Sequence, residues 1–219
     1  MDAVVFTGGE IAACAVQWYF RSKTPDLVIA ADRGLEFCFE QKIRPDFIVG
    51  DFDSIRPEVI AFYRKQQDIP IDTYRPEKDM TDTDIALEMA VSLGAEKVTF
   101  FGATGTRLDH TMSNIFNLCL LKDRGILGQI LDAHNRIRLP LGRQLTIRRE
   151  QLYGENISLF PVRGAVTGLT LEGFQYSLRD RLLAQGDGGL CVSNRLASGC
   201  EEGTIRWESG DLLVMETRD

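Results

Sequence analysis

The chain changes texture once, and that change constrains its fold more than any other feature. Through roughly the first 130 residues, short apolar runs alternate with longer stretches of helical periodicity. Runs at 3–7, 27–31, 47–50, 71–74, 98–102 and 129–132 read as strands, and 10–21, 34–41, 57–67, 82–93 and 112–124 as helices. Pro57 suits a first helical turn, while Gly94 and Gly125 suit helix ends. This βαβα alternation predicts an α/β domain: an open, mostly parallel sheet with helices on both faces. From Ala133 onward the segments shorten and alternate, at 136–139, 144–147, 157–161, 166–171, 190–193, 204–208 and 212–216, with glycines between them. That pattern predicts a small antiparallel β-sandwich or barrel. The expected domains are 1–133 and 134–219.

Composition narrows the functional classes. A hydrophobic content of 44% can build a core, and the apolar runs are far too short to span a bilayer. The formal net charge of -7 argues against a nucleic-acid partner, whose footprint would be basic. Met1-Asp2-Ala3 leads straight into the strand-like AVVFTGG, with no basic n-region and no cleavage site. Cys14, Cys38, Cys119, Cys191 and Cys200 are odd in number and form no CxxC pair, as reduced thiols in a cytoplasmic protein would. With only His110 and His134 available, a zinc site is disfavoured.

The chemistry concentrates at strand ends, where an open parallel sheet binds its ligands. Val49-Gly-Asp-Phe-Asp-Ser-Ile55 ends the third strand with Asp51 and Asp53 one residue apart. Alternation turns Phe52 the other way into packing, and Ser54 reads as a cap for the helix at Pro57. Asp32 ends the second strand. The segment Glu77-Lys-Asp-Met-Thr-Asp-Thr-Asp84 brings a further acidic cluster after the fourth, where Thr81 or Asp82 can cap the next helix. Any one of these aspartates reads first as a cap or loop residue. Carboxylates delivered from three strand ends to one edge are instead the hard oxygen donors that Mg²⁺ prefers, with waters and substrate phosphates completing its shell.

After the fifth strand comes Gly102-Ala-Thr-Gly-Thr-Arg-Leu-Asp-His110. Gly102 and Gly105 permit a turn whose amides approach an anion, and Arg107 adds a forked cation. Asp109 and His110 open a helix, where an acid suits the dipole. His110 reads either as a polar contact or base for substrate, or as a helix-start residue bonded to a neighbour, and the second reading is favoured. His134 reads as a loop residue at the domain join. The chain lacks GxxxxGK[ST], and Gly8-Gly9 is not a GxGxxG fingerprint, so P-loop and Rossmann-type dinucleotide binding are disfavoured.

In this order, Ala31-Asp-Arg-Gly34, Gly50-Asp-Phe-Asp-Ser54, Lys78-Asp-Met-Thr-Asp-Thr-Asp84 and Gly102–His110 resemble the motifs of the thiamine pyrophosphokinase family. Ser113-Asn114, Val192-Ser-Asn194 and Gly203-Thr-Ile-Arg-Trp-Glu-Ser-Gly-Asp-Leu-Leu-Val214 extend the resemblance over nearly the whole chain, and the Lys78–Asp84 segment is of bacterial type. The resemblance implies transfer of a pyrophosphoryl group from ATP to thiamine, giving thiamine diphosphate and AMP. It implies Mg²⁺ on Asp51, Asp53 and Asp82, which are then also the catalytic residues, with Asp79 as a further contact. Asp32, Arg33, Lys78, Thr81, Gly105, Arg107, Asp109 and His110 would surround ATP. Ser193, Asn194 and Asn114 would meet thiamine, and Trp207 is either a stacking partner for its rings or a core residue. A homodimer is implied, with thiamine at the subunit interface. Asp53 and Asp82 both stand open as the base that accepts the thiamine hydroxyl proton.

Three rival readings use the same residues. DFDS echoes the DxD of haloacid-dehalogenase-type phosphatases, but there the nucleophile ends the first strand rather than the third. A nucleotide sensor on this sheet would bind ATP without releasing AMP. A nucleotide-sugar transferase would use DxD to hold a metal diphosphate, and no second feature supports it.

Overall fold

The computed structural model describes residues 1–73, 80–187 and 189–219. The chain divides into two compact units, Met1–Ala133 and His134–Asp219.

In the first unit, strands β1 (Asp2–Phe6), β2 (Leu27–Ala31), β3 (Phe47–Gly50), β4 (Ile71–Thr73), β5 (Lys97–Phe101) and β6 (Leu127–Leu131) form a parallel sheet in the order β4-β3-β2-β1-β5-β6. Helices α1 (Ala13–Ser22), α2 (Gly34–Gln41), α3 (Pro57–Arg64), α4 (Asp82–Ser92) and α5 (Leu108–Asp123) connect successive strands. The chain steps one way from β1 to β4, then returns across the sheet to β5 and continues to β6. Right-handed crossovers therefore place α1–α3 on one face and α4 and α5 on the other.

Strands covered on both faces read as unbroken apolar runs, and Leu27-Val-Ile-Ala-Ala31 is buried at every position. Phe6 on β1 stacks on Phe101 of β5, ring centroids 5.4 Å apart. That contact fastens the two strands between which the order of connection reverses, the place where a parallel sheet opens a crevice beyond its carboxyl edge. Element identity followed the sequence pattern, while two helix starts moved. α1 begins three residues later than read, because Glu10 and Ile11 belong to the turn. α5 begins four residues earlier, at Leu108, with Asp109 in its first turn. Thr81 caps α4 in a reciprocal box with Asp84: the Asp84 N–H donates to Thr81 Oγ1 (3.2 Å), and the Thr81 N–H to Asp84 Oδ2 (2.9 Å).

The second unit is antiparallel. Strands β7 (Asn135–Leu139), β13 (Leu212–Thr217) and β9 (Asn156–Pro161) pair in that order. Strands β11 (Leu178–Leu183), β10 (Val166–Glu172), β12 (Glu202–Arg206) and β8 (Gln144–Arg148) make the other sheet. Ile157, Leu159, Leu212 and Val214 from one sheet and Val166, Leu169, Leu171 and Ile205 from the other bury one shared core, which makes the unit a sandwich. Trp207 belongs to this core at 3% exposure, its indole N–H donating to the Gly210 carbonyl (3.3 Å), so the stacking alternative falls. Glu216 is also buried, with its carboxylate held by Arg138 and by the Tyr153 N–H (3.0 Å).

One strand expectation was misplaced. Residues 190–193 do not form a strand: Ser193 takes a left-handed φ of 56°, and the segment meets β9 at isolated points, through the Cys191 carbonyl, the Ser193 N–H on the Ser158 hydroxyl (3.0 Å) and Asn194. The strand the sequence concealed is β11, Leu-Arg-Asp-Arg-Leu-Leu. It lies at a sheet edge with its charged centre exposed, so no alternation marks it. Among the described residues, no helix is long and apolar enough to cross a membrane.

Candidate active site

A cleft of ≈ 680 Å³ opens beyond the carboxyl ends of the parallel strands, at the β1/β5 switch point. Its floor is the crossing of two turns. The Gly102 carbonyl accepts the Thr7 hydroxyl (2.6 Å) and the Gly9 N–H (2.9 Å). A Cβ on Gly9 would fall 2.2 Å from that oxygen, so glycine there serves the close approach of two backbones.

Asp32, from the end of β2, converges with Asp51 and Asp53, from the end of β3; the cation set the resemblance implied had Asp82 in place of Asp32. One carboxylate oxygen from each lies within 4.8 Å of the other two. Gly50 and the left-handed φ of Phe52 (62°) turn the chain sharply after β3, burying the phenyl ring between the two carboxylates' positions in sequence. Asp32 itself sits at φ 47°, a conformation aspartate tolerates, with its N–H on the Val49 carbonyl (3.0 Å). Ser54 does not cap α3. Its hydroxyl turns back to Asp32, 3.1 Å from each oxygen, and the Arg56 N–H at that helix start is taken by Glu36 (2.7 Å). Burial raises the Asp32 carboxyl above its ordinary range; the Arg33 N–H and the Ser54 hydroxyl oppose this, and the Asp51 and Asp53 charges add to it. Three like charges this close favour a bound cation, and hard oxygen donors of this kind suit Mg²⁺.

Asp82 stands on another wall of the cleft, in the first turn of α4 between Thr81 and Thr83, and is not one of the clustered three. Arg33, Gly105, Arg107 and His110 also border the cleft. Arg107 makes a two-pronged contact to Asp109, at 3.2 Å and 2.6 Å. Those donors, with the His110 N–H, hold the Asp109 carboxyl down at about 2. His110 is exposed and bonds its own N–H to Asp109 (2.9 Å), as a helix-start residue does. Asn114 is buried in the cleft wall and donates to the Ala103 carbonyl (2.8 Å), which steadies the glycine turn. Lys78 and Asp79 lie outside the described residues.

Ser193 and Asn194 belong to the sandwich unit. Ser193 is exposed; Asn194 is 4% exposed, and its side-chain amide closes on the Tyr176 N–H (3.0 Å) and carbonyl (2.8 Å). The sequence reading missed the first turn, where Thr7, Gly8, Gly9 and Glu10 line the cleft, and it missed Thr104, whose hydroxyl donates to Asp132 (2.7 Å). The signal for the first turn was topological. Only the strand order shows that β1 borders the switch point.

Comparison with known proteins finds relatives over both units. Residues 21–127 match the family model described as thiamin pyrophosphokinase, catalytic domain, and residues 143–212 match the thiamin pyrophosphokinase, vitamin B1 binding domain. Thiamine pyrophosphokinase of Bacillus subtilis is 31% identical over 193 residues, 88% of each chain. The crystal structure of the Bacillus subtilis enzyme superimposes with a TM-score of 0.88 at 27% identity over 100% of both chains. Thiamin pyrophosphokinase from Geobacillus thermodenitrificans gives 0.85 at 30% identity, over 100% of this chain and 98% of the other.

Proposed function

This chain belongs to the thiamine pyrophosphokinase family, and from that premise we propose that its cleft binds Mg²⁺ and ATP and passes the terminal pyrophosphoryl group to thiamine. The observation that carries this reading is the cluster of Asp32, Asp51 and Asp53, the first two lining a switch-point cleft that Arg33 and Arg107 also line.

The chemistry asks for positioning and charge neutralisation. The thiamine hydroxyl oxygen bonds to the β-phosphorus as the bond from that phosphorus to the α–β bridging oxygen breaks. AMP departs with the bridging oxygen, and the hydroxyl proton passes to a carboxylate, for which Asp53 and Asp82 are the candidates. A divalent cation held by the aspartates supplies neutralisation of charge on the phosphate oxygens. Arg33 and Arg107 orient the phosphates, and the N-terminal ends of α4 and α5 face the same anion. Asp109 holds the guanidinium of Arg107 in one orientation before substrate arrives. In the sandwich unit, Ser193 meets thiamine and Asn194 holds the turn that presents it.

The working form we propose is a homodimer in the cytoplasm. Its support is a stripe along α5: Leu108, Met112, Phe116 and Leu120 are 73%, 47%, 50% and 46% exposed, each four residues from the last. No charged residue interrupts the helix from Thr111 to Leu121. The same helix carries His110 and Asn114 into the cleft wall, so a second copy seated on the stripe borders the cleft mouth. Five free cysteines, with burial pushing the Cys191 thiol up to about 11, fit a reducing compartment.

Substitution tests the aspartates. Asp53→Asn and Asp82→Asn are expected to lower turnover by about 10²-fold or more with the fold intact. Near-normal AMP release by both variants at saturating Mg²⁺ would end this reading.

A further inference from the structure

Helix α5 buries two asparagines one turn apart. Asn114 is 7% exposed and Asn117 is 4% exposed. At a separation of three residues they share a helix face, opposite in character to the apolar stripe. Asn114 borders the cleft and holds the Ala103 carbonyl of the glycine turn. Asn117 lies about 4.5 Å further along the helix axis. Its amide donates to Asp84 Oδ1 at 2.7 Å.

Asp84 is thereby used twice. Oδ2 accepts the Thr81 N–H and closes the cap of α4, while Oδ1 accepts Asn117. The turn fixed in this way carries Asp82 and Thr83 on the cleft wall. A capping box alone sets the helix start relative to its own axis. The bond from Asn117 sets it relative to α5, and so relative to the glycine turn that Asn114 holds.

We propose that Asn117 is a positioning residue for the phosphate site, fixing the spacing between the α4 wall with Asp82 and the β5 wall with Gly105 and Arg107. It touches no substrate. The inference rests on the reading of the cleft as the Mg²⁺–ATP site. Both walls it joins belong to that site and to the first unit, whereas Ser193 and Asn194 belong to the second. Loss of the bond is therefore expected to move the Mg²⁺–ATP parameters more than the KM for thiamine.

The test compares Asn117→Leu, which removes the donor at similar volume, with Asn117→Gln, which keeps it. Asn117→Leu is expected to raise KM for Mg²⁺–ATP and lower kcat, together costing about 10-fold or more in kcat/KM, as loss of a hydrogen bond to a charged group does. KM for thiamine stays within about twofold, and Asn117→Gln recovers most of the loss. Asn117→Ser, smaller and unable to reach Asp84, is scored by the same criterion if the leucine variant does not fold. An unchanged Mg²⁺–ATP parameter, or an equal shift in both KM values, overturns the proposal. The rise in unfolding midpoint on adding Mg²⁺–ATP provides a readout independent of turnover. A wild-type protein that responds to Mg²⁺–ATP but forms no AMP overturns the transfer reading; variants that keep the full wild-type response overturn the role of Asn117.

Discussion

The Ser54 hydroxyl stands 3.1 Å from each carboxylate oxygen of Asp32, tying the turn after β3 to the turn after β2. A sequence-local reading made Ser54 a helix cap. Its structural partner is twenty-two residues away, and the bond orients one carboxylate of the clustered three.

Ser54→Ala is expected to leave the fold intact, because the residue is exposed. It should lower kcat/KM for Mg²⁺–ATP by about 10-fold, the scale of a lost hydrogen bond to a carboxylate. Ser54→Thr keeps the hydroxyl and should restore most of the rate. Steady-state kinetics of the two variants checks this; equal rates in all three proteins would remove Ser54 from the account.

Asp32, Asp51 and Asp53 repel one another when no cation is bound, since their oxygens lie within 4.8 Å. Asp32→Asn should therefore raise the unfolding midpoint of the metal-free protein by about 2–4 °C, the scale of ~1 kcal/mol for a chain of this size. Saturating Mg²⁺ should raise the wild-type midpoint and leave that of the variant nearly unmoved. Thermal unfolding with and without Mg²⁺ reads both effects.

Phe116 is the half-exposed centre of the α5 stripe. Phe116→Glu places a charge where a second copy would cover it, and the variant should sediment as a monomer at micromolar concentration while the wild type sediments as a dimer. Its fold should be unaffected, because the side chain faces outward. A dimeric variant would move the subunit contact to another surface.

Burial pushes the Lys97 ammonium down to about 8, helped by the nearby Lys23 and opposed by Asp2 at 3.2 Å. The folded pKa lies below the unfolded value of 10.5, so the folded chain releases this proton first. Its contribution to stability is greatest above 10.5, falls as pH drops toward 8, and is constant below that. Lys97→Met should therefore be more stable than wild type near pH 7, by about 2–4 °C in midpoint, and the gap should narrow as pH climbs from 8 toward 10.5. Paired unfolding scans across that window check the sign.

The legible parts of the molecule were those written in local periodicity. Strand β2 is an unbroken apolar run, and the start of α4 is marked by Thr81 and Asp82 as cap candidates, of which the structure chooses Thr81. The sheet edge shared by Asp32, Asp51 and Asp53 was legible from their places at strand ends, but not that Asp32 rather than Asp82 completes the cluster. What remained hidden depends on contacts between distant segments. Strand β11 hides because its exposed Arg179, Asp180 and Arg181 carry no alternation. Asn194 and Ser54 are short polar residues with several possible partners, and only the fold chooses among them. Trp207 could stack or pack by its sequence context; the sandwich core decides for packing.

The most direct test of the central claim is the fate of the terminal phosphorus of ATP. Wild-type protein incubated with thiamine, Mg²⁺ and ATP labelled at the γ-phosphorus should release AMP and form thiamine diphosphate in equal amounts, with the label in the thiamine product. Formation of ADP with labelled thiamine monophosphate, or of labelled inorganic phosphate without a thiamine product, would contradict pyrophosphoryl transfer.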